Sequence, residues 1–145
     1  MSVLKAEAIS VEFGGLKAVE NFDLQMEEGE LIGLIGPNGA GKTTIFNLLT
    51  GVYQPTAGKI YVQGKDVTGK HPSQIVAAGV CRTFQNIRLF KKMTVLENVK
   101  TACNLNMHYS LPAALFRTGT FWKEEKEAEE TALRLLEVFD MAHLA

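Results

Sequence analysis

Eight residues, Gly36-Pro37-Asn38-Gly39-Ala40-Gly41-Lys42-Thr43, constrain this chain more than any other stretch. They fit G-x-x-x-x-G-K-[ST] at every fixed position, and that spacing has a physical purpose. Glycines reach positive φ and put no Cβ in the way, so successive backbone N–H groups can turn inward around phosphate oxygens. A helix that starts at the lysine aims the positive end of its dipole at the same anion. Lys42 is then expected to reach the β- and γ-phosphates of a nucleoside triphosphate as a point charge, and Thr43 to offer its hydroxyl to Mg²⁺. Thr44 adds a second hydroxyl beside the phosphates. At Pro37, Asn38 and Ala40 the backbone counts for more than the side chain.

The flanks supply the context that such a loop requires. Upstream, Leu31-Ile32-Gly33-Leu34-Ile35 is a nearly continuous apolar run, the pattern of a strand buried on both faces as in a parallel sheet. Downstream, Ile45, Phe46, Leu48 and Leu49 give buried faces to a helix over 42–50, and Gly51 stands where a C-cap glycine would. Further upstream, residues 3–13 alternate loosely into the turn Gly14-Gly15. Phe22, Leu24 and Met26 alternate with Asp23, Gln25 and Glu27 as a half-buried strand.

After the loop helix, Gln54-Pro55-Thr56-Ala57-Gly58 reads as a turn and 59–63 as a strand. Pro72 opens a short helix to Ala78, and 80–84 reads as a further strand. Thr94-Val95-Leu96-Glu97 has the form of a capping box, with Val95, Val99, Ala102 and Cys103 continuing at helical spacing. Leu111-Pro112 interrupts. A long helix is expected over 121–141, with Ala128, Ala132, Leu135, Leu136 and Phe139 on its apolar face and the charged run 123–130 solvated. The order is thus a strand-rich front with one loop helix, then a helical back from about residue 89.

Bulk properties exclude several classes. A net charge of −1 gives no electrostatic case for nucleic acid as the main partner. The start of the chain lacks a basic segment followed by an apolar run, and no stretch approaches the ~18 apolar residues of a spanning helix, so a soluble chain is expected. Cys81 and Cys103 lack metal spacing and read as reduced thiols; His71, His108 and His143 have no partner pattern. A guanine-specific switch protein would need Asn-Lys-x-Asp, and no Asn-Lys pair occurs.

Gly36 to Thr44, GPNGAGKTT, resembles the Walker A motif of ABC transporter ATPases. Phe13, within VEFGGLKAV, falls where that family has an aromatic A-loop residue; taken alone it is also compatible with a core aromatic at a strand end. Cys81-Arg82-Thr83-Phe84-Gln85 resembles the approach to the family's Q-loop, with Gln85 as its glutamine, although read by itself Gln85 could be a surface amide. The stretch 89–99, LFKKMTVLENV, also looks like this family. The details are most similar to the ATP-binding subunit of branched-chain amino-acid importers.

That resemblance implies an α/β P-loop NTPase core, with residues 1–88 as nucleotide-binding core and 89–145 as the start of a helical subdomain. It implies ATP and Mg²⁺ as ligands, Phe13 stacking on adenine, and Gln85 contacting Mg²⁺ or orienting water. Lys42 and Gln85 would carry the catalytic roles present here. The implied partners are a second ABC ATPase subunit and membrane permease subunits, on the cytoplasmic face of a membrane. A non-transport ABC ATPase and a nucleotide-binding fragment without turnover are the competing readings. The family's LSGGQ-like signature, its apolar strand ending in Asp-Glu and its switch histidine do not occur in these 145 residues. Val138-Phe139-Asp140 only imitates the second of them within a helical pattern. The chain therefore reads as an N-terminal portion, expected to turn over ATP negligibly alone and to leave the 31–35 run as an unpaired apolar edge.

Overall fold

A computed structural model describes residues 2–84 and 88–145. Contacts divide it into two units, 1–83 and 84–145, and each is described by itself.

The first unit is a four-stranded antiparallel sheet in the order β2-β1-β3-β4 with two helices on it. Its strands are β1 (Ser2–Phe13), β2 (Leu16–Glu27), β3 (Ala57–Val62) and the two-residue β4 (Lys65–Asp66); its helices are α1 (Lys42–Leu49) and α2 (Pro72–Ala77). The hairpin β1–β2 turns at Gly14-Gly15 with Phe13 opposite Leu16. The expected alternation along β2 is present, with Phe22, Leu24 and Met26 half-buried and Asp23 and Gln25 exposed. In β1 the alternation breaks. The pairing with β2 shifts between Ala6 and Ile9, and Ala8 takes φ 47°. This bulge inserts one residue, so Ala6, Ile9 and Val11 all reach the core. The Asp23 carboxylate accepts from the Ala8 N–H at 2.8 Å and holds the bulge. Ile45, Leu48 and Leu49 of α1 and Ile75 of α2 close the core against Ile9, Val19, Ile60, Val62 and Val67.

Two strands expected from sequence do not form. Residues 31–35 are extended without a ladder, and Leu31 and Ile35 are 99% and 94% exposed. Only Leu34 rests partly on the core. Residues 80–84 likewise carry no ladder. A strand buried on both faces needs a neighbour on each side to satisfy its N–H and C=O groups. Among the described residues no strand lies beside either run, and the sheet present is wholly antiparallel.

The second unit is helical. It contains α3 (Val95–Ala102), a 3-10 turn (Cys103–Asn106), α4 (Leu111–Leu115), α5 (Gly119–Val138) and a final 3-10 turn (Ala142–Leu144). The capping box forms as its sequence predicts. The Thr94 hydroxyl accepts from the Glu97 N–H at 3.1 Å, and the Glu97 carboxylate accepts from the Thr94 N–H at 2.7 Å. Leu111-Pro112 begins a helix rather than merely interrupting one. Ser110 caps it, and proline suits its first turn because that N–H has no helical partner. In α5, Ala128, Ala132 and Leu136 are buried at i, i+4, i+8, whereas Leu135 is 47% exposed and Phe139, expected within the helix, follows its end and is 72% exposed. The apolar face is thus narrower than the sequence implies. Lys100 of α3 pairs with Glu125 of α5 at 2.5 Å, and the Tyr109 hydroxyl donates to the same carboxylate at 2.9 Å. These two donors hold the Glu125 carboxyl below the usual carboxylate range, the lysine having the larger effect.

Candidate functional site

The loop 36–43 is shaped by its own lysine. Lys42 Nζ donates to the carbonyls of Gly36 at 2.6 Å and Pro37 at 2.7 Å. The ammonium therefore ties the first residues of the loop to the start of α1. Within this strap, the Ala40 N–H closes a turn on the Pro37 carbonyl at 3.2 Å. Gly39 and Gly41 stand at φ 85° and 80°. Gly41 is the N-cap of α1 and places no side chain over the first turn, which also contains no acidic residue. Nothing there competes with an anion for the end of the helix dipole.

Gly41 is fixed for a second reason. A Cβ on it would lie 2.8 Å from the Ala18 carbonyl oxygen and 3.5 Å from Val19 Cγ2. The loop thus sits directly against β2, and glycine is what lets the two backbones approach. From the other side, Ile45, Leu48 and Leu49 anchor α1 in the core. Arg82 adds a tie that sequence reasoning missed. Its guanidinium donates to Asn47 Oδ1 at 2.6 Å and lies 6.0 Å from the Phe46 ring centroid.

The sequence-predicted residues distribute as follows. Gly36, Pro37, Asn38, Gly39 and Ala40 form the exposed arch; Lys42 is half-buried beneath it, Thr43 is exposed and Thr44 half-buried on the first turn of α1. Phe13 ends β1 and is 45% exposed. Its ring does not lie in the buried core. It meets Tyr53 edge to face, with centroids 5.1 Å apart and an interplanar angle of 70°. Tyr53 escaped the sequence reading because the contact joins residues far apart in the chain and neither has a local signal for it. Gln85 lies outside the described residues. Among the described residues no cluster of His, Cys, Asp or Glu forms a metal site. A cation here would depend on the Thr43 hydroxyl and on the phosphates themselves, the donor set of a Mg²⁺ bound with its nucleotide. The glycine cradle, the lysine and the uncontested helix end fit a polyphosphate.

Comparisons with known proteins agree with this chemistry. Residues 19–145 match the ABC transporter family. The chain is 44% identical over 143 residues to the high-affinity branched-chain amino acid transport ATP-binding protein BraF of Pseudomonas aeruginosa, covering 99% of this chain and 56% of that protein. It is 44% identical over 135 residues to the corresponding LivG protein of Salmonella typhimurium, covering 93% and 53%. A probable LivG protein of Methanocaldococcus jannaschii is 37% identical over 144 residues, covering 99% and 55%. Among solved structures, a nucleotide-free ATP-binding cassette from an ABC transporter superposes with a TM-score of 0.74 at 36% identity, over 99% of this chain and 56% of that one. The ADP conformation of such a cassette gives 0.74 at 35% identity, again over 99% and 56%. The chain spans about half the length of the curated relatives it matches. With a family match that takes in most of its residues and a fold that superposes on solved cassettes, this chain belongs to the ABC transporter family.

Proposed function

We propose that this chain is the N-terminal part of the ATP-binding subunit of an ABC importer that energises branched-chain amino-acid uptake. The observation that carries the nucleotide part of this reading is the lysine-strapped loop on a helix with an uncontested N-terminus. The substrate part rests on similarity to the BraF and LivG proteins.

In this reading residues 1–88 are the nucleotide-binding core. The loop amides and the α1 dipole bind the phosphates, and Lys42 turns from the carbonyls of Gly36 and Pro37 toward the β- and γ-phosphates. Such a swing exchanges hydrogen bonds from the ammonium to two neutral carbonyls for hydrogen bonds to anionic phosphate oxygens, which add charge–charge attraction. Thr43 directs its hydroxyl to Mg²⁺, which when bound neutralises phosphate charge, and Thr44 supports the same region. Phe13 offers a face to adenine, and Gln85 contacts Mg²⁺ or the attacking water. Residues 89–145 begin the helical subdomain that faces the permease subunits at the cytoplasmic side of the membrane. A second ATPase subunit completes the site.

Phosphoryl transfer to water depends on positioning and on charge stabilisation around the γ-phosphate. The acidic pair and the signature that supply these in the family do not occur in the 145 residues, so the chain by itself binds Mg-ATP and turns it over negligibly.

Calorimetric titration with ATP and GTP, with and without Mg²⁺, beside Lys42→Ala, tests the reading. Mg²⁺-dependent binding that favours ATP and disappears in Lys42→Ala is expected. Equal affinity of Lys42→Ala, or a preference for GTP, would refute the site. Steady ATP turnover abolished by Lys42→Ala would refute the claim of negligible hydrolysis.

A further inference from the structure

Phe13 is held in an unusual way for a residue read as a base-stacking platform. It is the last residue of β1, beside a turn in which Gly14 and Gly15 stand at φ 54° and 87° and a Cβ on either would meet nothing within 4 Å. Its cross-strand neighbour Leu16 is 70% exposed. The strand tip therefore supplies little packing to fix the ring. What does touch it is Tyr53, edge to face at 5.1 Å.

Tyr53 is itself rigidly placed. Its N–H donates to the Asn47 carbonyl of α1 at 3.0 Å, and the Gly51 N–H donates to the Leu48 carbonyl at 3.1 Å. Gly51, at φ 72°, lets the chain pass so close to the start of α2 that a Cβ there would lie 2.8 Å from the Lys70 carbonyl oxygen. Three residues beyond Tyr53, the Thr56 N–H and hydroxyl both donate to the Ser10 carbonyl, at 2.8 and 3.1 Å. The segment carrying Tyr53 is thus tied to α1 at one end and to β1, three residues before Phe13, at the other. Neither ring belongs to the buried core, and Tyr53 stays 38% exposed.

From this geometry we propose that Tyr53 is the positioning residue for the Phe13 ring, and that the two aromatics together form the base side of the nucleotide site. The inference rests on the nucleotide reading of the loop and deepens it. One helix relates the two halves of the site. The phosphate loop enters α1 at Lys42, and Tyr53 follows its other end, about 12 Å along an eight-residue helix. The hairpin covers part of the same interval. Ala18 touches Gly41, while Leu16, opposite Phe13, lies ~7 Å further toward the tip. An edge-to-face pair leaves ring surface open to a third flat group, and a purine stacks on such a surface. By fixing the ring rather than touching phosphate, Tyr53 acts on the base and not on the triphosphate.

That distinction sets the experiment. The 145-residue chain and its Tyr53→Ala, Tyr53→Leu, Tyr53→Phe and Phe13→Ala forms are titrated with Mg-ATP and with Mg-tripolyphosphate, which has the phosphates and no base. Tyr53→Ala and Tyr53→Leu should weaken ATP about threefold to tenfold, the range of an aromatic pair, and leave tripolyphosphate unchanged. Tyr53→Phe should match the unmodified chain. In a Phe13→Ala background, Tyr53→Leu should have no further effect on ATP. Equal weakening of both ligands would assign Tyr53 a structural role and overturn the inference, as would ATP binding indifferent to Tyr53→Leu. If the unmodified chain bound tripolyphosphate as tightly as ATP, the base site would fall while the phosphate loop stood. If it bound neither, the loop reading itself would fall and take this inference with it.

Discussion

Gly41 is where the loop, its helix and the sheet meet, and replacing it by alanine separates two costs that are usually entangled. An alanine held at φ 80° has the ordinary left-handed penalty of about 1–2 kcal/mol. It also brings a methyl to 2.8 Å from the Ala18 carbonyl oxygen, several tenths of an ångström inside normal contact. Ala18 cannot retreat freely, because its neighbour Val19 is paired with Val11 and buried in the core. Overpacking against a fixed backbone adds about 1–2 kcal/mol. The total for Gly41→Ala is about 2–4 kcal/mol. Gly39 provides the control: its φ is 85°, but a Cβ there meets nothing within 4 Å. Gly39→Ala should therefore cost only the conformational part, about 1–2 kcal/mol. In a unit of this size each kcal/mol lowers Tm by about 4–8 °C. Thermal melting followed by far-UV circular dichroism should give Gly41→Ala about twice the fall of Gly39→Ala. Equal falls would refute the close approach of loop and β2, and with it the account of why this position is glycine.

Three other outcomes can be checked directly. Leu48 is 1% exposed in the core of the first unit, and Leu48→Ala should destabilise it by about 2–5 kcal/mol in urea unfolding. Glu125 has its folded-state pKa lowered by Lys100 and Tyr109. That contribution is present above the unfolded carboxylate pKa of about 4.3 and is lost as pH falls through the lower folded value. Lys100→Met should accordingly reduce helical-unit stability by about 1 kcal/mol at pH 7, with the difference shrinking below about pH 4; a deficit that persisted unchanged at pH 2 would contradict the pairing. Leu31 and Ile35 are almost wholly exposed, so the chain should self-associate with rising concentration in sedimentation velocity. Leu31→Lys with Ile35→Lys should suppress that without lowering Tm, whereas a monomeric unmodified chain would refute the expectation.

The elements legible in sequence are those whose cause is local. The capping box Thr94–Glu97, the alternation of β2 and the phosphate loop each depend on residues a few positions apart, and each is recognisable on that basis. The runs 31–35 and 80–84 read as strands because their side-chain patterns ask for burial. A pattern states only what a segment needs, and among the described residues no strand lies beside either run to meet the need. The bulge at Ala8 is hidden for a related reason: its support comes from Asp23 across the hairpin. Tyr53 and Arg82 matter through contacts with Phe13 and Asn47, tens of residues away. Periodicity could not announce them. The start of α4 is different, because its signal is local: Ser110 is the cap and Pro112 the first-turn proline.

That the phosphate loop keeps its form while the run leading into it has no ladder says where its shape comes from. A loop positioned by a paired strand before it would not hold this geometry after a run without a ladder. Here three other restraints act. Lys42 closes the arch on the Gly36 and Pro37 carbonyls. Gly41 lies on Ala18, and Ile45, Leu48 and Leu49 seat the helix in a core built by β1, β2 and β3. Each is formed by residues within the first unit. The strap differs from the other two because a phosphate can replace its carbonyl acceptors. The lysine holds the arch together; in the proposed nucleotide-bound site the phosphate oxygens take over the ammonium. Pre-shaping the loop in this way reduces the ordering that binding must otherwise accomplish, and it requires a long, cationic side chain at the first position of the helix. A neutral residue at position 42 would remove the internal strap and the attraction to phosphate together.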